Sequence, residues 1–315
     1  MRLRLPKTAR PRLALGAFGK HPAWDDHMTD FGLETERLVA LRRVLYAQGV
    51  GGRVDSGAWE RLGSYERLPG FDHVVLWSTP EGLLAGRLWS SVDGKGRAKY
   101  PLAMFVHVEN LPTSWALARG LEAIESLHAA IDGERDAGRV VAAIEAARTS
   151  LREEIGGLGA GANEDDDEKA VLAVAGHPQA GRDAVGLMRV IYHVRREMPG
   201  LLSKRAGGTG AKGARASRHV RAPRCAATAR EGAAGWLSVM QGLVEARTPV
   251  MAIAPNGAEI VDLIVGEPAA EQFYCLLAGE AALPPASEIP YEIDAGARAL
   301  VESMLSRARA GGGGE

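Results

Sequence analysis

The sequence predicts an α/β protein in which an antiparallel β-sheet is flanked by helices, an α/β sandwich. Apolar runs of strand length recur along the chain, at Leu13 to Phe18, Val74 to Ser78, Leu102 to Val108 and Val250 to Ala254. Pro- and Gly-containing turns, Thr79-Pro80-Glu81-Gly82 and Pro255-Asn256-Gly257, follow two of these runs and fold the chain back on itself. Other segments carry apolar residues at helical spacing, and their single apolar stripe needs a sheet to cover it.

Leu13 to Phe18 reads as a buried strand ending at Gly19. From Leu33 to Tyr46, Leu38, Leu41 and Leu45 share one helical face, with Glu36, Arg37, Arg42 and Arg43 between them. Val74 to Ser78 and Leu83 to Ser91 form a hairpin about the Pro80–Gly82 turn, and Asp93 to Lys99 joins it to a third antiparallel strand, Leu102 to Val108. A helix opened by Pro112-Thr113-Ser114 carries Leu117, Leu121, Ile124, His128 and Ile131; a second carries Val140, Ile144, Ala147, Leu151 and Ile155.

The first α/β domain therefore spans residues 1–155. Residues 156–169, Gly-rich and then acidic through Glu164-Asp165-Asp166-Asp167-Glu168, read as a solvated linker to a second α/β region over 170–310. That region begins with a helix from Asp183 to Glu197. Residues 204–218 lack apolar periodicity and read as a mobile basic loop. Thr228 and Glu231 have capping-box spacing before a helix bearing Trp236, Leu237, Met240 and Leu243. The hairpin at 250–265, a further strand in the apolar run Phe273 to Leu277 and an amphipathic helix from Asp294 to Ala308 complete it. The order permits two related βαβββα halves.

Thirty-eight basic and 39 acidic residues leave a net charge of −1, which gives no whole-molecule attraction to nucleic acid or an anionic membrane. No stretch approaches the roughly 18 apolar residues of a membrane span, and no apolar signal segment follows the basic N-terminus, so membrane insertion is not expected and a cytoplasmic location is. Cys225 and Cys275 lack partner spacing and read as buried thiols. Between Arg195 and Arg230 ten Lys and Arg face one acid, Glu197, but aromatic residues are absent from 200–235, so nucleic-acid binding there is not expected.

Two short motifs carry the chemistry. Gly19-Lys20-His21-Pro22-Ala23-Trp24-Asp25-Asp26 and Ser91-Val92-Asp93-Gly94-Lys95-Gly96-Arg97-Ala98-Lys99-Tyr100-Pro101-Leu102 place charges on punctuated loops beside apolar runs. His21, Asp25, Asp26, His27 and Asp30 are metal-ligand types, but their spacing matches no familiar ligand pattern. Gly94-Lys95-Gly96-Arg97 can cradle an anion, yet lacks the phosphate-loop sequence. No G-x-S-x-G elbow surrounds Ser90 or Ser91. No catalytic residue, metal or cofactor is expected from these patterns.

The paired motifs resemble the G-x-x-G-K-x-P and S-x-D-x-x-G-R-x-x-[YF]-P-L pattern of TagF-type proteins associated with type VI secretion, over about the first 130 residues. The matching positions are Gly19, Lys20, Pro22, Ser91, Asp93, Gly96, Arg97, Tyr100, Pro101 and Leu102. Where the family commonly continues with Gly-Asp-Phe, this chain has Trp24-Asp25-Asp26-His27, keeping a carboxylate and changing its neighbours. The resemblance implies an α/β sandwich and a non-enzymatic, cytoplasmic, negative and post-translational regulator of secretion-system assembly. Its partners would be type VI secretion components, among them a forkhead-associated scaffold protein.

Asp93 has the geometry to accept hydrogen bonds from its own loop, and Arg97 either projects toward an acidic partner or pairs inward with Asp25. An exposed Arg97 predicts lost partner capture in Arg97→Ala with little loss of stability; a buried pair predicts a loss of roughly 3 kcal/mol or more. The alternative to a regulator is a metal- or ligand-dependent enzyme using residues 20–27 and 93–97, which requires those groups to converge in a pocket.

Overall fold

Strand β1 (Arg12–Gly19) buries every residue after Arg12, and β4 (Pro101–Glu109) buries all but its last. Continuous burial instead of alternation marks strands covered on both faces, so their apolar runs are unbroken. The computed structural model describes residues 10–156, 184–198, 217–296, 298–299, 301–303 and 306. The chain divides into two units: Met1–Trp77, Glu81–Glu164 and Ala269–Ala282; and Ser78–Pro80, Asp165–Pro268 and Leu283–Glu315.

In the first unit the strand order is β1-β4-β3-β2, with β2 at Asp72–Thr79 and β3 at Gly82–Ser90. β4 pairs antiparallel with both neighbours, Gly19 opposite Leu102 and Ser90 opposite Pro101. Both motifs therefore leave the sheet at the same end.

The helix expected from Leu33 to Tyr46 is shorter at its start and longer at its end. Helix α1 (Glu36–Leu41) begins under Thr35, whose hydroxyl accepts the Leu38 N–H. It continues as a π-helix, Arg42–Val50, and then α2 (Gly51–Asp55). Helix α1 buries Leu38 and Leu41 as expected, and the widened turns bury Leu45 and add Tyr46 and Val50. A Cβ on Gly49 would lie 2.8 Å from the Phe273 ring, so glycine permits that contact.

The next helix is also interrupted: α3 (Thr113–Trp115), a π-turn at Ala116–Gly120, then α4 (Leu121–Ile131). The turn buries Ala116 and Gly120 and leaves the expected Leu117 half-buried. Helix α5 (Ala137–Gly156) buries Val140, Ile144, Leu151 and Ile155 as its periodicity predicts.

In the second unit, α6 (Ala184–Glu197) precedes β5 (Arg218–Pro223), α7 (Ala229–Leu243), β6 (Val250–Pro255) and β7 (Ile260–Val265). The order is β6-β7-β5, all antiparallel. The predicted capping box forms: Thr228 Oγ1 accepts the Glu231 N–H at 3.2 Å and Glu231 accepts the Thr228 N–H at 3.1 Å.

The second half differs from the sequence expectation in its basic stretch, its apolar run and its bounds. Arg218, placed at the end of a basic loop, opens strand β5; 204–216, like 157–169 of the acidic linker, lie outside the described residues. Phe273 to Leu277 is no strand, because Ala270–Leu276 is a 3₁₀ helix whose first turn is held by Gln272 accepting the Ala269 N–H. Its Phe273 and Leu276, three apart, are buried together, as 3₁₀ spacing requires. This segment belongs to the first unit, so the second region is not continuous over 170–310. Trp59 donates to the Tyr274 carbonyl and the Leu68 N–H to the Leu277 carbonyl, which fixes it there.

Among the described residues the two halves share a rule, with one strand fewer in the second. A strand is followed by helix and meander, and the last meander strand returns to pair antiparallel with the first, β4 on β1 and β7 on β5. The described residues of 295–306 are helical and bury Val301; Leu300, Met304 and Leu305 lie outside them. Cys225 and Cys275 are buried and form no disulfide. Among the described residues no helix is long and apolar enough to cross a membrane.

Candidate functional site

Gly19 ends β1 with φ +118°, and a Cβ there would stand 2.2 Å from the Pro101 carbonyl oxygen. Only glycine lets the first motif turn so close to the second. The Pro101 carbonyl in turn accepts the Lys20 N–H at 3.1 Å and the buried Tyr46 hydroxyl at 3.1 Å.

Lys20 joins the motifs. Its Nζ donates to Asp93 Oδ2 and Asp26 Oδ1, each at 2.6 Å, while the lysine is only 3% exposed. Asp93, 2% exposed, also accepts from Arg97 Nε at 2.7 Å and from the backbone N–H groups of Lys95 and Arg97 at 3.0 Å each. Burial works to raise the Asp93 pKa, but the Lys20 and Arg97 bonds outweigh it and hold the carboxyl far below its usual range. Asp26 is likewise held low, first by its bond to Lys20.

The loops also touch through backbone. Gly94 donates to the Trp24 carbonyl at 2.6 Å, and its absent Cβ would lie 3.1 Å from Asp25 Oδ1. Arg97 pairs inward, but with Asp93 and the Asp25 carbonyl (2.6 Å), not with the Asp25 carboxylate. Its side chain remains 53% exposed, so it belongs wholly to neither alternative expected for it. The Asp25 carboxylate faces outward, 3.6 Å from Lys95 Nζ.

The remaining motif residues brace these loops. Tyr100 donates to Asp55 Oδ1 at 3.1 Å, and burial followed by that carboxylate pushes its pKa up to about 12. His27 packs edge-on against Tyr100 with ring centres 4.9 Å apart. Gly96 takes φ +78° in the open loop tip. Pro22 and Ser91 are half-buried where the loops leave the sheet.

His21 is a buried structural group. Its Nδ1 accepts the Ala23 N–H at 3.2 Å and its Nε2 stands 3.0 Å from the Ile131 carbonyl, which fixes the neutral Nε2–H tautomer. Burial lowers its pKa, against the opposing bond to Ile131. Both ring nitrogens are occupied, so His21 supplies no free metal ligand beside Asp25 and Asp26. Neither of two cavities, about 380 and 360 Å³, is lined by a motif residue.

The motifs thus form one braced ridge. Lys20, His21 and Asp93 hold it from within; Asp25, Asp26, Lys95, Arg97 and Lys99 present mixed charge at its surface, beside half-buried Trp24. Sequence reasoning found these residues but missed the Lys20–Asp93 bond and the supporting roles of Tyr46 and Asp55. The only signal for Tyr46 was its place at the end of a helical stripe.

The basic segment is partly neutralised within the second unit. Arg221, 1% exposed, donates to both oxygens of Asp262 at 3.0 and 2.8 Å. Arg224 pairs with Glu259 at 2.5 Å. Comparison with protein-family models and with curated proteins finds no match to this chain.

Proposed function

We propose that this chain is a non-enzymatic, TagF-like regulator that restrains assembly of a type VI secretion system after translation. In this reading it acts in the cytoplasm by binding a secretion component, a forkhead-associated scaffold protein being the leading partner. The observation that carries the reading is Lys20, whose two carboxylate bonds lock the paired motifs into one ridge.

The ridge's reactive side chains support a binding role. Lys20 is held by two acids, Asp93 accepts four hydrogen bonds, and His21 is neutral with both nitrogens occupied. Those groups hold a shape. The outer charges and Trp24 offer a polar rim beside an aromatic group, a composition suited to protein recognition.

The test is co-purification of the full chain with a forkhead-associated scaffold and other secretion components expressed beside it. A stable complex whose formation slows secretion-sheath assembly is the expected result. Recovery of the chain alone, with assembly unaffected by its presence, would overturn the proposal.

A further inference from the structure

A second surface, lined by no motif residue, gathers two arginines and a glutamate. Arg53, Ala58, Arg61, Leu62, Glu271 and Tyr274 line an open surface cleft of about 380 Å³ within the first unit. That volume lies within the range of about 300–1,000 Å³ typical of small-molecule pockets.

Its two cations meet no carboxylate among the described residues. The Arg53 guanidinium lies over the Tyr274 ring, 5.6 Å from its centre, and Arg61 donates only to the Ser56 carbonyl, at 2.7 Å. Glu271 has no cation partner among the described residues. Most other arginines of this unit are matched to acids: Arg37 to Glu81, Arg42 to Asp30, Arg87 to Asp72 and Glu125, Arg119 to Glu154. Two unmatched guanidinium groups sharing one cavity stand apart from that pattern.

The walls are fixed in advance. Trp59, 2% exposed, donates from Nε1 to the Tyr274 carbonyl at 2.9 Å. Phe273 is seated against Gly49, and the Arg42–Val50 π-helix leads directly into the turn that carries Arg53. Widened helical turns are frequent at functional sites because they redirect side chains. The ring beneath Arg53 leaves the guanidinium edge, with its paired N–H donors, available to an oxyanion.

We infer that this cavity binds a small oxyanion, phosphoryl or carboxylate, whose neighbouring hydroxyl or ammonium group donates to Glu271. The arginines supply two positive charges and planar donor pairs; Glu271 supplies the acceptor that selects against a bare anion.

The probes are glycerol 3-phosphate for a phosphoryl ligand and serine for a carboxylate ligand, titrated into the full chain at constant ionic strength. Arginine Nε–H resonances of Arg53 and Arg61 report occupancy, and glycerol is the uncharged control. A saturable shift with one probe identifies its class, with affinity falling about tenfold or more in Arg53→Gln or Arg61→Gln and about threefold or more in Glu271→Gln. Thermal melts confirm that each variant is folded, and exposed Arg61 provides the arm less coupled to packing. No saturable shift with either probe, or saturable binding unchanged in all three variants, would overturn the inference.

Discussion

Lys20–Asp93 in the first unit and Arg221–Asp262 in the second are both buried ion pairs, yet they are built from different levels of the fold. Arg221 and Asp262 face one another across paired strands β5 and β7, and the fork geometry satisfies both carboxylate oxygens inside the sheet. His219 adds a third contact to Asp262 at 2.9 Å. Lys20 and Asp93 instead lie just beyond strand ends, 73 positions apart, and their network extends to Asp26 and Arg97 at the surface. One pair closes a sheet interior; the other turns two loops into a rigid ridge.

That difference predicts a graded response. Arg221→Met strands the fully enclosed Asp262 carboxylate with only His219, and should cost about 4 kcal/mol in chemical denaturation. Lys20→Met leaves Asp93 its Arg97 and backbone donors, so a smaller loss of about 3 kcal/mol is expected. An Arg221→Met loss below that of Lys20→Met would reverse the ordering. Amide exchange at Trp24 and Gly94 should also accelerate in Lys20→Met, because the ridge loses its central cation.

Acid tests the first unit separately. Burial, aided by the Arg37 charge, pushes the His107 pKa down to about 4, and Nδ1 of this histidine lies 3.0 Å from the Thr35 hydroxyl. Its folded pKa lies below the unfolded value of about 6.5, so the unfolded chain takes up the proton first as pH falls. The His107 contribution is complete above about pH 6.5 and is lost toward pH 4, about 3 kcal/mol in all. His21 and His128, also lowered by burial, contribute in the same direction. His107→Phe should flatten stability against pH in that window; an unchanged slope would remove His107 from the account.

The sequence carried much of this architecture where the signal was local. The strand run of β1, the Pro80–Gly82 turn, the Thr228–Glu231 box and the stripe of α5 each depend on neighbours within a few positions. Strand β5 was hidden because Arg218 and Arg221 made it look like part of a solvated basic stretch. The acid that neutralises Arg221 is Asp262, 41 positions away. The π-helix at Arg42–Val50 defeats a 3.6-residue reading, and Phe273 to Leu277 has strand composition but folds as a 3₁₀ turn under Gln272. At the ridge the residue types were legible and the pairing was not: Arg97 meets Asp93 and a carbonyl, while the Asp25 carboxylate stays outside.

The role proposed for the outer charges of this braced ridge is to bind a partner. It is tested most directly by measuring the affinity of the purified full chain for the forkhead-associated scaffold, comparing wild type with Asp25→Lys/Lys95→Glu. Both side chains are exposed and their surface pair contributes little to stability, within about 0.5 kcal/mol. Affinity should fall about tenfold or more with an unchanged thermal midpoint. Equal affinity in the two proteins would contradict it.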